Sequence, residues 1–169
     1  DGVNDAPALK GSDIGIALGS GTDVAKETSD IVLLNDSFST IVSAVEEGRR
    51  IYQNIKKTVL YLLSGTFAEV TMIAGSIIIG LPIAALPAQI LWINIVEDTF
   101  LNIALAFDDG DKENMQDPPR PKKEKLIDKE MRVIIIATTI ISNIALFAIY
   151  YYMLKSQDSL ALARTMVFV

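Results

Sequence analysis

Apolar and polar positions follow two different rhythms along this chain. Over roughly the first fifty residues the apolar runs are short and are bounded by Gly, Ser and Asp. Ile14-Gly15-Ile16-Ala17-Leu18-Gly19 and Ile31-Val32-Leu33-Leu34 are of this kind, the pattern of buried parallel strands. Asp5-Ala6-Pro7-Ala8-Leu9-Lys10 predicts a helix start, with Asp as N-cap and Pro in the first turn. Gly19 to Asp23 reads as a turn and Val24 to Ser29 as a short helix. From Ser39 the spacing changes to three and four, through Ile41, Val45, Gly48, Ile51 and Ile55, which predicts a long helix.

Three long apolar blocks follow. Thr58–Gly80 contains one charge, Glu69; Pro87–Phe107 contains two, Glu97 and Asp98; Val133–Leu154 contains none. A helix needs about 20 residues to cross a hydrocarbon core, and a helix satisfies its own backbone polar groups there. Each block is therefore expected to span a bilayer, and a further truncated span is expected from about residue 162. The expected fold class is mixed: the end of an α/β domain, then an all-α transmembrane bundle. The division is placed at 1–50 and 51–169, with residues 39–57 as a stalk helix.

Arg49, Arg50, Lys56 and Lys57 precede the first span, and Arg120, Lys122, Lys123, Lys125, Lys129 and Arg132 lie between the second and third. The link Leu81–Leu86 carries no charge. The positive-inside rule places residues 1–57 and 108–132 in the cytoplasm. With half of its 169 residues hydrophobic, the chain has the composition of an integral membrane protein. The short loops point to the inner membrane of a prokaryote. Asp1 and Val169 both read as cuts through a larger protein.

Composition also narrows the chemistry. The absence of Cys and His removes thiolate and imidazole ligands and His-based acid–base catalysis. Any metal held here is a hard cation on oxygen. The net charge of −6 comes with no basic stripe, so nucleic acid is not an expected partner. The expected partner on these grounds is a lipid bilayer.

Carboxylates inside apolar spans are costly, about 2.5–3.5 kcal/mol each at mid-bilayer on insertion scales, and so mark function. Asn94, Asp98 and Asn102 are spaced four apart and predict one helical face, with Glu97 one turn from Asn94. Thr66 and Glu69 form a second oxygen-bearing patch. Antiparallel packing of the two helices would let Glu69, Asn94, Glu97 and Asp98 converge. Lone polar groups such as Gln89, Thr138 and Asn143 are expected only to knit helices together. At the N-terminus, Asp1 and Asp5 flank a Gly-containing turn before a helix, an arrangement suited to Mg²⁺ and phosphate.

These residues also carry a resemblance. DGVNDAPALK at 1–10, continued by Asp13–Lys26, by Phe38–Val42 and by Glu46–Lys57, resembles the hinge region of P-type ATPases. Leu91-Trp92-Ile93-Asn94-Ile95-Val96-Glu97-Asp98 is similar to the family's sixth membrane helix. Pro118–Pro121 and Ala163–Met166 resemble later landmarks of its calcium-pump-like P2 branch. The resemblance covers the whole chain, as membrane helices five to seven and the start of eight.

It implies a HAD-like phosphorylation domain in which Asp1 coordinates a catalytic Mg²⁺ and Asn4 and Asp5 help hold the phosphorylated site. It implies an ATP-driven cation pump, with ATP bound mainly by missing parts. Glu69, Asn94 and Asp98 fall at cation-ligand positions, while Glu97 and Thr66 depart from the usual calcium-pump residues. The expected ion is Ca²⁺, with Mn²⁺, Na⁺, K⁺ or H⁺ as alternatives. A regulatory or degenerate membrane fragment is the reading from another class. The fragment by itself is expected to be inactive.

Overall fold

The computed structural model describes residues 1–110, 114–121, 123–157 and 159–168. Lys122 of the basic loop and Val169 lie outside them. The described chain forms two units, Asp1–Arg49 and Arg50–Val169.

The first unit is a small βαβ arrangement. A 3₁₀ turn over Val3–Asp5 leads into α1 (Ala6–Gly11), with Asp5 as N-cap and Pro7 early in the first turn. β1 (Ile16–Leu18), α2 (Asp23–Thr28) and β2 (Ile31–Leu33) follow. The strands pair in parallel, with Ile16 opposite Ile31 and Leu18 opposite Leu33. A parallel pair needs such a crossover. Thr22 caps α2 by accepting the Ala25 N–H. Ala17, Ala25 and Leu33 make the buried centre. Gly19 lies so close to β2 that a Cβ would meet the Leu33 carbonyl oxygen at 2.9 Å.

α3 (Ser39–Ile78) is one helix of 40 residues, beginning in the first unit and ending in the second. Glycine stops it: Gly80 has φ +74°, its N–H bonds the Ile77 carbonyl at 3.1 Å and the Leu81 N–H bonds Ser76 at 2.9 Å. This is the paired-bond ending that a left-handed glycine permits. α4 (Pro87–Trp92) starts with Pro, and Gln89 Oε1 accepts the Leu86 N–H at 2.8 Å. The helix continues through a π segment, Ile93–Glu97, into α5 (Asp98–Ala106). α6 (Lys129–Gln157) and α7 (Leu160–Phe168) complete the second unit. α6 runs three residues past the expected end of its span, and α7 starts slightly earlier than expected.

The second unit is pinned around the link between α3 and α4. Met72, Ala84, Tyr150 and Ala163 form its buried cluster. Tyr150 donates its hydroxyl to the Pro82 carbonyl at 2.8 Å, and Arg164 Nε donates to Ile83 at 2.9 Å. Gly75 lets Phe147 approach; a Cβ there would meet Phe147 Cζ at 2.6 Å. α3 and α6 are the two described helices long and apolar enough to cross a membrane. Only 17% of each apolar stretch is buried by this chain, which separates them from the core helices of a water-soluble protein.

Candidate functional site

The residues of interest in the second unit sit where helical hydrogen bonding changes register. Ile93–Glu97 is a π turn, at whose end the Asp98 N–H bonds the Ile93 carbonyl, five residues back rather than four. Thr99 Oγ1 adds a bond to the Asn94 carbonyl at 3.4 Å. Such π turns are rare and concentrate at functional positions. The extra residue falls within the set Asn94, Asp98 and Asn102 expected on one face. Asp98 and Asn102 are half-buried, whereas Asn94 and Glu97 are exposed.

Across from them, α3 presents Glu69, half-buried, and Tyr61, two turns earlier on the same face. Glu69 lies within electrostatic reach of both Asp98 and Glu97. The Tyr61 hydroxyl faces Asp98, and Glu97 and Glu69 as well. Thus the structure brings Glu69, Glu97 and Asp98 into one electrostatic neighbourhood. Their like charges repel, a repulsion that a bound cation or proton relieves. Among the described residues, no three carboxylates gather closely enough to hold a metal ion between them. Thr66 is exposed on α3.

Glu69 also lines a cavity of about 270 Å³ with Ala68, Met72, Ile90, Ile93 and Leu146. Asn143, buried on α6, stands beside it and donates to the carbonyls of Ala68 at 3.2 Å and Thr139 at 2.8 Å. Asn143 therefore ties α6 to α3, as expected of a lone polar group, whereas Gln89 caps the start of its own helix.

Tyr61 was not legible as a site residue from apolar spacing alone. The signal that would have found it is its place at Glu69 minus eight, on the same helical face. The π segment had no such signal, since its residues alternate no differently from an α-helix.

Toward the basic end, α3 grips the segment after α5. Asn54, only 4% exposed, donates to the carbonyls of Ala106 at 3.3 Å and Asp108 at 2.8 Å. These are end-of-helix carbonyls that lack partners within α5. Lys57 pairs with Asp108, and Lys56 with Asp128 at 2.6 Å. The Lys57 ammonium hydrogen-bonded to Asp108 holds that carboxyl below its ordinary value, and Lys56 does the same to Asp128. Arg120 stacks on Tyr52 with its guanidinium carbon 3.3 Å from the ring centroid.

In the first unit, the Asp1 carbonyl accepts the Thr22 N–H at 2.9 Å, which sets residues 1–5 beside the turn after β1. Asp5 Oδ2 accepts the Gly2 N–H at 2.8 Å. Asp1, Asn4 and Asp5 are all exposed on this turn.

Residues 81–169 match the family model described as the C-terminus of cation transporting ATPases. The chain belongs to the cation-transporting ATPase family. A relative described as the cation-transporting ATPase pma1 of Synechocystis sp. is 42% identical over 167 residues, 98% of this chain. The chain spans 18% of that relative's length. The family match begins just after α3 ends and covers the link, the π segment, α6 and α7.

Proposed function

We propose that this chain is part of a P-type ATPase that drives a cation across a membrane, with Ca²⁺ as the transported ion. The observation that carries the reading is the approach of Glu69 on α3 to Glu97 and Asp98 at the π segment. Carboxylate and amide oxygens are the ligands a hard divalent cation takes. In this reading Glu69, Asn94, Glu97 and Asp98 are cation ligands, Thr66 adds a hydroxyl, and Tyr61 orients Asp98. Widening the helix at Ile93–Glu97 frees backbone carbonyls beside the same side chains.

The first unit is read as the end of a HAD-like phosphorylation domain. Its two short parallel strands and exposed Val3, Ile14, Leu34 and Phe38 are consistent with one part of a larger, covered sheet. Asp1 would hold Mg²⁺, with Asn4 and Asp5 beside the phosphorylated position; the exposed carboxylates are the hard oxygens that ion requires. When bound, Mg²⁺ supplies charge neutralisation at a transferring phosphoryl group. The aspartyl phosphate itself forms elsewhere in the longer chain. α3 then links phosphorylation to Glu69, since movement of one continuous helix alters both ends.

The helices are read as membrane spans five to seven and the start of eight in the P2 branch, with residues 1–57 and 108–132 cytoplasmic and the protein in a prokaryotic inner membrane.

Glu97 supports a second reading, transport of Mn²⁺, Na⁺, K⁺ or H⁺, because an added carboxylate can carry a proton in place of cation charge. Phosphoenzyme formation from ATP by the full-length pump, across Ca²⁺, Mn²⁺, Na⁺, K⁺ and pH, tests both. Micromolar Ca²⁺ stimulation that disappears in Asp98→Asn is the expected result. Stimulation by a different cation moves the specificity to the second reading. No phosphoenzyme under any condition overturns the pump and leaves a regulatory membrane protein.

A further inference from the structure

A second polar site lies in the same unit, one helical turn from the carboxylates toward the basic end. It is a cavity of about 250 Å³ between α3 and α5, with Asn54, Thr58 and Asn102 among aliphatic walls. Asn102 is four residues beyond Asp98, and Thr58 is three before Tyr61. Tyr61 and Asp98 therefore stand between this cavity and Glu69.

Two buried oxygens in its walls, Asn54 Oδ1 and Asn102 Oδ1, have no hydrogen-bond partner. The orientation of Asn54 is not arbitrary. Its Nδ2 donates to two carbonyls, Ala106 and Asp108, and turning the amide over would set Oδ1 against both. Both orphan atoms are acceptors, so an occupant must bring positive charge or hydrogen-bond donors. The polar wall groups are two amides and a hydroxyl, all neutral. Divalent ions in proteins are held mainly by carboxylates, whereas neutral oxygens can stand in for the hydration shell of a monovalent ion. At roughly 30 Å³ per water, the volume admits one such ion with several waters.

We propose that this cavity binds a partly dehydrated monovalent cation between Asn54 Oδ1 and Asn102 Oδ1, at a site separate from the carboxylates. The proposal does not depend on which ion those carboxylates take. Crystals of the full-length pump soaked in Tl⁺, a K⁺ stand-in visible by anomalous scattering, test it. The expected result is a peak between the two amide oxygens that is lost in Asn102→Leu and kept in Asp98→Asn. Asn102→Asp, which retains the oxygens and adds charge, is expected to take up Tl⁺ about tenfold more tightly. A cavity holding only water, or filled by another segment of the pump, overturns the proposal. So does a peak that follows Asp98 instead of Asn102, or Tl⁺ uptake that is unchanged in both Asn102 variants. Loss of Ca²⁺-stimulated phosphorylation in Asp98→Asn with the Tl⁺ peak intact would separate the two sites.

Discussion

The helix over residues 87–106 and the helix α6 over Lys129–Gln157 start from similar apolar sequence and end differently. α6 holds one regular hydrogen-bond pattern for 29 residues, and its buried polar groups, Asn143 and Tyr150, bond backbone carbonyls of neighbouring segments. The other helix breaks its pattern over five residues, at the point where two acidic side chains face a third on α3. A regular helix spends its backbone oxygens on itself. An irregular turn leaves some of them without a helical partner, and this one lies beside two carboxylates. In one helix polar side chains hold the bundle together, and in the other they bring carboxylates near a third on α3.

The largest effect should come from single-residue deletions. A π turn contains one residue more than an α turn, so deleting Ile95 restores regular bonding while leaving both flanking faces in place. Expression and thermal stability of the full-length pump should survive, while cation-stimulated phosphoenzyme falls by roughly 100-fold or more, the loss expected when positioned ligands shift by an ångström. Deleting Ile140 in α6 should instead rotate every later residue by about 100° and prevent folding. Equal outcomes for the two deletions would erase the distinction between the helices.

Next is Tyr61→Phe, which removes the hydroxyl facing Asp98 and keeps the ring. Apparent cation affinity in phosphorylation assays should weaken about tenfold, equivalent to ~1.4 kcal/mol, with the melting temperature nearly unchanged. A stability loss without an affinity change would make Tyr61 a packing residue. Asn143→Leu should do the reverse. Its stability cost should be about 0.6–1.7 kcal/mol, the range for hydrogen bonds between membrane helices, with cation affinity changed less than in Tyr61→Phe. Denaturation in detergent, read beside the affinity assay, checks both.

The smallest effect concerns pH at the basic end. Asp108 and Asp128 have carboxyls held below their ordinary value by Lys57 and Lys56. The folded form therefore binds fewer protons than the unfolded one. The resulting stability is present above the unfolded carboxylate value, about 3.9, and is lost as pH falls through the lower folded values. Both pairs are partly exposed, so the change should be modest and should shrink with added salt. Melting curves between about pH 2 and 6 should show a shallower acid slope in Lys57→Met; an identical slope would remove the Lys57–Asp108 pair from the account.

Sequence alone determined much of the local architecture. Asp5 and Pro7 predict the start of α1, Gly80 the end of α3 and Pro87 the start of α4, because caps and breakers act within a few residues. The two short apolar runs predicted the parallel strands, and the spacing from Ser39 predicted a helix that turned out to be unbroken for 40 residues. Glu69, Glu97 and Asp98 were legible because a charge in an apolar block is costly wherever it points. Only the tertiary structure decided what those charges meet. Tyr61 gains its place through a contact 37 positions away, at Asp98. Asn54 reads as an ordinary polar residue until the carbonyls of Ala106 and Asp108 arrive beside it. The π turn is hidden for a related reason. Apolar residues tolerate four- and five-residue turns alike, and packing against the neighbouring helices selects between them.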